Sequence, residues 1–378
     1  MLKIAFIFNH HFFLGGGEIS FSELILKLER KSFKPLIIVP EIGQITEYFK
    51  DKNFSVVSTP FEPLKRIFPV TPIGSLFMLV KVLKRGQIDI IHANGSRACL
   101  YSTLAGRILG LPVLWHVRET IQDHFFYDGF MGLLAARILC VSKSVKQKRF
   151  SRFPRSIMSK IKVIHNGVNT DLFQSKYDSR KNIRSELGIS DSNILFGIVG
   201  NMIPLKGQDI FLQALAKVYR SRPNIDIRAL LIGRSLHKQY YAKLERLVSD
   251  LELKNQVLFI DHITDIPRIY SALDVFVLPS QREGFSRSIL EAMSSGLPIL
   301  ATKISEIQEA VSEPENALLV EFGDIEGMAS AVIKLAEDKE MQKTMGKNNR
   351  KKAVEKFDLK IHVKAIEAIY KEMIFSKT

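Results

Sequence analysis

Two open α/β layers in series, each a parallel sheet flanked by helices, are the fold class this sequence predicts. Three observations carry it. Short apolar runs alternate with segments of helical periodicity along nearly the whole chain. The order strand, glycine-bearing loop, helix opens the pattern at residue 3 and again at residue 194. A length of 378 residues also suits two or three cores better than one. Strands separated by helices join by right-handed crossovers into parallel sheets, and ligands then sit beyond the carboxyl ends of the strands.

Residues 3–8 form the first apolar strand, followed by Gly15, Gly16 and Gly17 and a periodic helix over 18–30. The glycines allow close approach of backbone to a phosphate, or simply a flexible turn; they are not the G-x-G-x-x-G dinucleotide fingerprint. Strands follow at 35–39, 55–57, 88–92 and 112–116, with helices near 45–50, 74–84 and 98–109. His116 ends its strand, where functional groups gather in such sheets, although a single histidine is as readily structural. A helix and strand over 130–141 precede a basic span, and a strand at 162–165 runs into Asn166 and Gly167. There the composition shifts, and the domain boundary is placed at Gly167.

The alternation restarts with a strand at 194–199, a loop at 200–207 containing Lys206, and a helix at 208–221. Strands at 228–232, 257–260, 275–278, 298–301 and 317–320 alternate with helices at 238–251, 266–272 and from 305, and helices fill the chain from 324. Within this half, residues 275–296 read VFVLPSQREGFSRSILEAMSSG. The strand gives way to a short loop and then a helix whose apolar positions share one face. Glu283 lies just before the helix and Glu291 about one and a half turns inside it. Helix-start N–H groups attract phosphate, so acids beside them serve some other part of a ligand, and sugar hydroxyls fit. That points to a sugar-phosphate compound; the alternative is a surface loop with two solvated acids.

Composition narrows the classes further. Hydrophobic residues at 46% and charged residues at 25% are ordinary for a globular protein. Cys99 and Cys140 make no disulfide framework and no Cys/His cluster has metal-ligand spacing, which predicts a reducing cytoplasm and no metal. The start MLKIAFIF reads as a strand, not a signal peptide, and no apolar run approaches membrane-spanning length. The net charge of +15 is uneven: residues 1–167 hold 24 Lys/Arg against 11 Asp/Glu. No acidic residue falls between Gly129 and Thr170, while Lys143, Lys146, Lys148, Arg149, Arg152 and Arg155 crowd together. A solvated face, a nucleic-acid patch and a dock for anionic lipid all fit this run.

With these residues in place, the chain resembles the retaining glycosyltransferases of family 4, or group 1. The resemblance rests on GGGE at 15–18, VIHNGVNTDLF at 163–173, GNMIPLKG at 200–207, DVFVLPS at 274–280 and the spacing of Glu283, seven residues, Glu291. It implies the GT-B fold: two Rossmann-like domains with parallel sheets facing each other across a cleft. Residues 1–167 would be the acceptor-side domain, with a helix at 358–378 packing back on it, and 168–357 the nucleotide-sugar domain. Glu283 would hold the donor sugar's hydroxyls, Glu291 the ribose, and Lys206 the diphosphate, helped by Gly284, Phe285 and Ser286 and by Gly16 and Gly17. His116 would contact the transferred sugar. No cofactor or metal is implied, since cations and amides stabilise the leaving nucleotide.

Two departures stand out. Asn201 follows Gly200 where the family often has an arginine, so Arg282 would supply a second diphosphate cation unless it is only an exposed loop residue. Val117 and Arg118 follow His116 where a polar or acidic residue is common. The expected activity is hexosyl transfer to a lipid-linked or polysaccharide acceptor in cell-envelope glycan synthesis. The basic first half suggests an anionic membrane partner at the cytoplasmic face, with 61–68 and 74–85 as contact candidates, and base selection is expected near 262–266. The rivals are a silent regulatory member and a sugar-nucleotide epimerase of the same fold; nucleic acid is not an expected partner, because no recognition module is present.

Overall fold

The computed structural model describes residues 1–61, 71–120, 125–174, 177–261 and 265–375. The chain divides into two units, Met1–Gly167 with Leu359–Thr378, and Val168–Asp358.

The first unit contains β1 (Leu2–Ile7), α1 (Gly16–Lys27), β2 (Phe33–Val39), α2 (Gln44–Lys50), β3 (Ser55–Ser58), α3 (Thr71–Gly86), β4 (Ile90–Asn94), α4 (Ser96–Leu109), β5 (Val113–Val117), α5 (Phe125–Leu134), β6 (Arg137–Cys140), α6 (Lys143–Phe150), α7 (Arg155–Met158) and β7 (Ile161–Val163). Its seven strands lie in the order β3-β2-β1-β4-β5-β6-β7, and every pairing is parallel. The central strands β1 and β4 are largely buried, β4 along its whole length including His92 and Asn94. Strand order reverses between β1 and β4, so the loops leaving their carboxyl ends turn in opposite directions and leave a crevice.

The second unit contains α8 (Tyr177–Glu186), β8 (Ile194–Val199), α9 (Gln208–Ser221), β9 (Ile227–Ile232), α10 (Lys238–Asp250), β10 (Val257–Ile260), α11 (Ile266–Ala272), β11 (Val275–Leu278), α12 (Arg287–Ser294), β12 (Ile299–Thr302), α13 (Ser305–Gln308), β13 (Ala317–Val320), α14 (Ile325–Glu337) and α15 (Lys339–Lys356). Six strands run in the order β10-β9-β8-β11-β12-β13, again all parallel. The reversal falls between β8 and β11. Phe196, Phe211, Leu231, Leu244, Val277 and Val332 meet in its core. Asp338 ends α14 and caps α15, accepting from the Met341 N–H at 2.8 Å.

Helix α8 falls in the stretch read from sequence only as a compositional shift. Its sequence YDSRKNIRSE offers little apolar stripe to read. Ion pairs fasten it instead. Arg180 and Arg184 reach Asp274 at 2.8 and 3.2 Å, and Asp274 also accepts from the Leu195 N–H at 2.7 Å. Arg184 is fully buried and donates to the carbonyl of Ala272 as well. Asp274 thereby ties α8 to the start of β8, a structural task for the first residue of the DVFVLPS motif.

The chain finishes by crossing back. Helix α16 (Leu359–Phe375) belongs to the first unit, where Val363, Ile366 and Tyr370 join the aromatic core of Phe6, Phe21 and Phe33. Phe6 and Phe21 meet edge to face at 5.6 Å, and Phe33 and Tyr370 at 5.8 Å.

Candidate active site

In the second unit the loops after β8 and β11 emerge side by side at the reversal of strand order. The β8 loop closes with Gly207, whose φ of +66° suits glycine. A Cβ there would stand 2.1 Å from the Pro279 carbonyl oxygen, so the two loops touch backbone to backbone. The Gln281 N–H donates to the Leu205 carbonyl at 2.9 Å and locks them together. This brings Lys206 Nζ to 2.6 Å from Glu283 Oε1. Both side chains are largely shielded, at 21% and 10% exposure, so the pair is held in a partly desolvated niche. Asn201 accepts on its carbonyl from Gln208 Nε2 at 3.1 Å, and Arg282 lies half-buried beside Glu283.

Gly284, Phe285 and Ser286 lead into α12. Phe285 is buried against the Phe357 ring, 5.7 Å away, which fixes the loop's exit. Ser286 is the N-cap, its Oγ accepting from the Ile289 N–H. Glu291 is also buried, and both its oxygens are engaged: Oε1 accepts from Arg287 Nε at 2.7 Å and Oε2 from the Tyr270 hydroxyl at 2.9 Å. Burial first, and then the Glu291 charge, pushes the Tyr270 phenol well above its ordinary range, so it stays a donor. Glu291 is thus a charged acceptor held rigid by two donors. Arg287 was readable from the i, i+4 spacing; Tyr270 sits on α11, and its approach is a tertiary contact with no sequence signal.

In the first unit the candidates Gly16, Gly17 and His116 gather at the β1/β4 crevice. Gly16 and Gly17 form the first turn of α1, and the Gly15 N–H donates to Glu18 Oε2 at 3.2 Å. Burial raises the Glu18 carboxyl above its usual range, an effect that the hydrogen bonds and Arg118 oppose. Arg118 organises the strand ends: Nε donates to Asn94 at 2.5 Å, Nη1 to Asn166 at 2.8 Å, and Nη2 lies 3.3 Å from His116 Nδ1. A Cβ on Gly17 would approach Arg118 Cδ to 3.2 Å, so glycine makes room for this side chain.

His116 is fully buried, and its Nδ1 lies 3.1 Å from His92 Nε2 on the adjacent strand. His92 Nδ1 in turn lies 2.6 Å from the Tyr370 hydroxyl on α16. The two imidazoles stack at 5.2 Å with planes 18° apart. Burial, followed by the Arg118 charge, holds both well below the ordinary histidine pKa, so both rings are neutral near pH 7. His92, Asn94 and Tyr370 were not candidates from sequence. His92 closes the strand expected at 88–92 as His116 closes the one expected at 112–116, a signal that was available although β4 itself runs on to Asn94, whereas Tyr370 is 278 positions away from His92. Residues 262–264, most of the expected base-selecting stretch, lie outside the described residues.

Two doubly wound units in series, each gathering polar groups at its own sheet reversal, have the GT-B fold of nucleotide-sugar glycosyltransferases. The Anabaena protein HepE, crystallised with UDP-glucose, superposes with a TM-score of 0.86 over 98% of this chain and all of its own, at 23% identity. A Rickettsia africae glycosyltransferase gives 0.86 over 99% and 98% at 20% identity. The family models "Glycosyl transferases group 1" and "Glycosyltransferase Family 4" match residues 179–352 and 14–172. The chain is 28% identical to an Escherichia coli UDP-Gal:alpha-D-GlcNAc-diphosphoundecaprenol alpha-1,3-galactosyltransferase, covering 100% of this chain and 98% of the relative. It is 29% identical to a lipopolysaccharide core biosynthesis mannosyltransferase of Rhizobium meliloti, over 90% and 100%. The chain belongs to the group 1, or family 4, glycosyltransferases.

Proposed function

We propose that this enzyme transfers a hexose, with retention of configuration and no metal ion, from a nucleoside diphosphate sugar to a lipid-linked acceptor in cell-envelope glycan synthesis. The observation that carries the reading is the Lys206–Glu283 pair at the sheet reversal, one loop away from the N-terminus of α12. A diphosphate seated there competes for the Lys206 ammonium and receives N–H donors from the helix start. The pair then opens, and Glu283 is released to accept two hydroxyls of the sugar. Glu291, held by Tyr270 and Arg287, accepts the ribose hydroxyls. His116 contacts the transferred sugar. Charge developing on the leaving nucleotide meets Lys206 and backbone N–H groups, so the departure requires no metal. The named activities of the E. coli and R. meliloti relatives, and of a Staphylococcus aureus capsular polysaccharide glycosyltransferase 26% identical over 87% of this chain, support the envelope assignment.

A thermal-shift screen of UDP-galactose, UDP-glucose and GDP-mannose tests the donor. A ligand at a hundred times its dissociation constant stabilises by about 2.7 kcal/mol. Glu283→Gln is expected to lose transfer, and Lys206→Ala to lose both binding and turnover; unchanged kinetics in Lys206→Ala would remove the pair from the site.

Peripheral docking on the anionic cytoplasmic membrane belongs to the same proposal. Ile73, Phe77 and Met78 are exposed on α3, which continues into exposed Lys81, Lys84 and Arg85. Phe126 and Leu133 on α5 are exposed too. Exposed apolar groups followed along the same helix by lysine and arginine suit a headgroup boundary. Residues 62–68 of the other candidate segment lie outside the described residues. No helix among the described residues is long and apolar enough to cross a membrane. Cosedimentation with phosphatidylglycerol vesicles but not with phosphatidylcholine vesicles is expected; equal binding to both, or none, refutes docking.

A further inference from the structure

The hydrogen-bond chain from Tyr370 through His92 to His116 fixes which nitrogen of His116 bears its proton. A guanidinium only donates, so the contact from Arg118 Nη2 at 3.3 Å makes His116 Nδ1 an acceptor. A neutral imidazole carries one hydrogen, which is then on Nε2. The same requirement propagates backwards. His92 Nε2, 3.1 Å from that acceptor, is the donor, leaving His92 Nδ1 bare to accept from the Tyr370 hydroxyl at 2.6 Å. Every group in the chain is satisfied except the last. His116 Nε2 is buried and has no hydrogen-bond partner among the described residues. Buried donors without acceptors are rare in folded proteins, and this one stands at the carboxyl end of β5, beside the β1/β4 crevice.

We infer that Tyr370 and His92 are positioning residues that hold His116 in its Nε2–H tautomer, so that this N–H donates to an oxygen of the transferred sugar. The ligand rests on the donor reading given above; the tautomer rests on the hydrogen bonds alone. The assignment also decides what His116 does. With Nδ1 turned toward Arg118 and His92 and a proton already on Nε2, it serves as a hydrogen-bond donor and has no free lone pair with which to act as a general base. Tyr370 lies on α16, so that helix contributes a functional hydrogen bond as well as core packing.

Two-bond 1H–15N spectra of the full chain labelled at histidine distinguish the two neutral tautomers from the imidazolium, with signals assigned through His92→Gln and His116→Gln. His92 and His116 are both expected as neutral Nε2–H rings from pH 8 to pH 6. Tyr370→Phe keeps the ring packing and removes the donor, and it is expected to move His92, and with it His116, toward the Nδ1–H form. Should that variant lose its near-UV dichroism, a comparison at position 92 replaces it: His92→Gln, which can still donate to His116, holds the Nε2–H form, and His92→Leu relaxes it. An Nδ1–H or charged His116 in the unsubstituted protein, or a His116 signal indifferent to Tyr370→Phe, overturns the inference. Turnover of UDP-galactose separates the two levels. Tyr370→Phe should lower kcat/KM about tenfold, and a His116→Ala variant as active as the original would remove the sugar contact while leaving the tautomer result intact.

Discussion

Acid should loosen the first unit through its buried histidines, and His362 allows the size of the effect to be worked out. Its Nδ1 is 2.7 Å from the His165 carbonyl, and burial, followed by the Arg118 charge, lowers its pKa from 6.5 to about 4. In the unfolded chain this imidazole takes up a proton near pH 6.5, and in the folded unit only near pH 4. Between those values the unfolded state binds more protons, so the contribution is whole above pH 6.5 and fades as the pH falls toward 4. The full gap is worth about 3 kcal/mol, of which about 2 kcal/mol is lost between pH 7 and pH 5. His92 and His116 are shifted in the same direction and add to the loss. Trp115, the only tryptophan, is buried next to His116 and reports on this unit. Urea midpoints followed by its fluorescence at pH 5, 6, 7 and 8 should fall steeply on the acid side for the unsubstituted protein. In His362→Gln the fall from pH 7 to pH 5 should shrink by about 2 kcal/mol. Parallel pH curves for the two proteins would refute the argument.

Three further outcomes concern the second unit. Asp274→Ala strands Arg184, whose side chain is 1% exposed, and should cost about 3–5 kcal/mol by calorimetry of the unit's transition. Gly207→Ala places a methyl against the Pro279 carbonyl at a φ of +66°, and a loss of at least about 2 kcal/mol is expected, together with weaker binding of whichever nucleotide sugar stabilises the unsubstituted protein. Tyr270→Phe removes one of the donors that steady Glu291; about 1 kcal/mol of stability and a several-fold rise in KM for the nucleotide sugar should follow, and an unchanged KM would argue against Glu291 as the ribose contact.

The sequence signalled strand–loop–helix units clearly because their boundaries are punctuated locally. Gly200 and Gly207 bracket the lysine loop, and Pro279 and Ser286 bracket the glutamate loop, so β8, α9 and β11 begin and end where period and breakers place them. What joins Lys206 to Glu283 is different in kind. It depends on β8 and β11 being neighbours, which is set by sheet order and not by any local pattern. Glu291 was legible as an acid about one and a half turns inside a helix, whereas its burial and its tether to Tyr270 were not, because the partner arrives from another helix. Helix α8 escaped detection for a related reason: arginines inserted into the carbonyls of residues 271–273 anchor it, and hydrophobic periodicity is blind to that. The His92–His116–Tyr370 chain needed three separate segments to be in place before its logic could be read.

The return of α16 to the first unit has a temporal consequence. During synthesis, β1 to β7 leave the ribosome with the surface that will receive Val363, Ile366 and Tyr370 still uncovered. The whole of Val168–Asp358 must be made before that helix exists. At ~5–20 residues per second the wait is on the order of ten to forty seconds. The unit that starts first therefore waits for its last helix, and for that interval its apolar α16 seat stays open to solvent, with Tyr370 not yet there to settle the protons of its histidines.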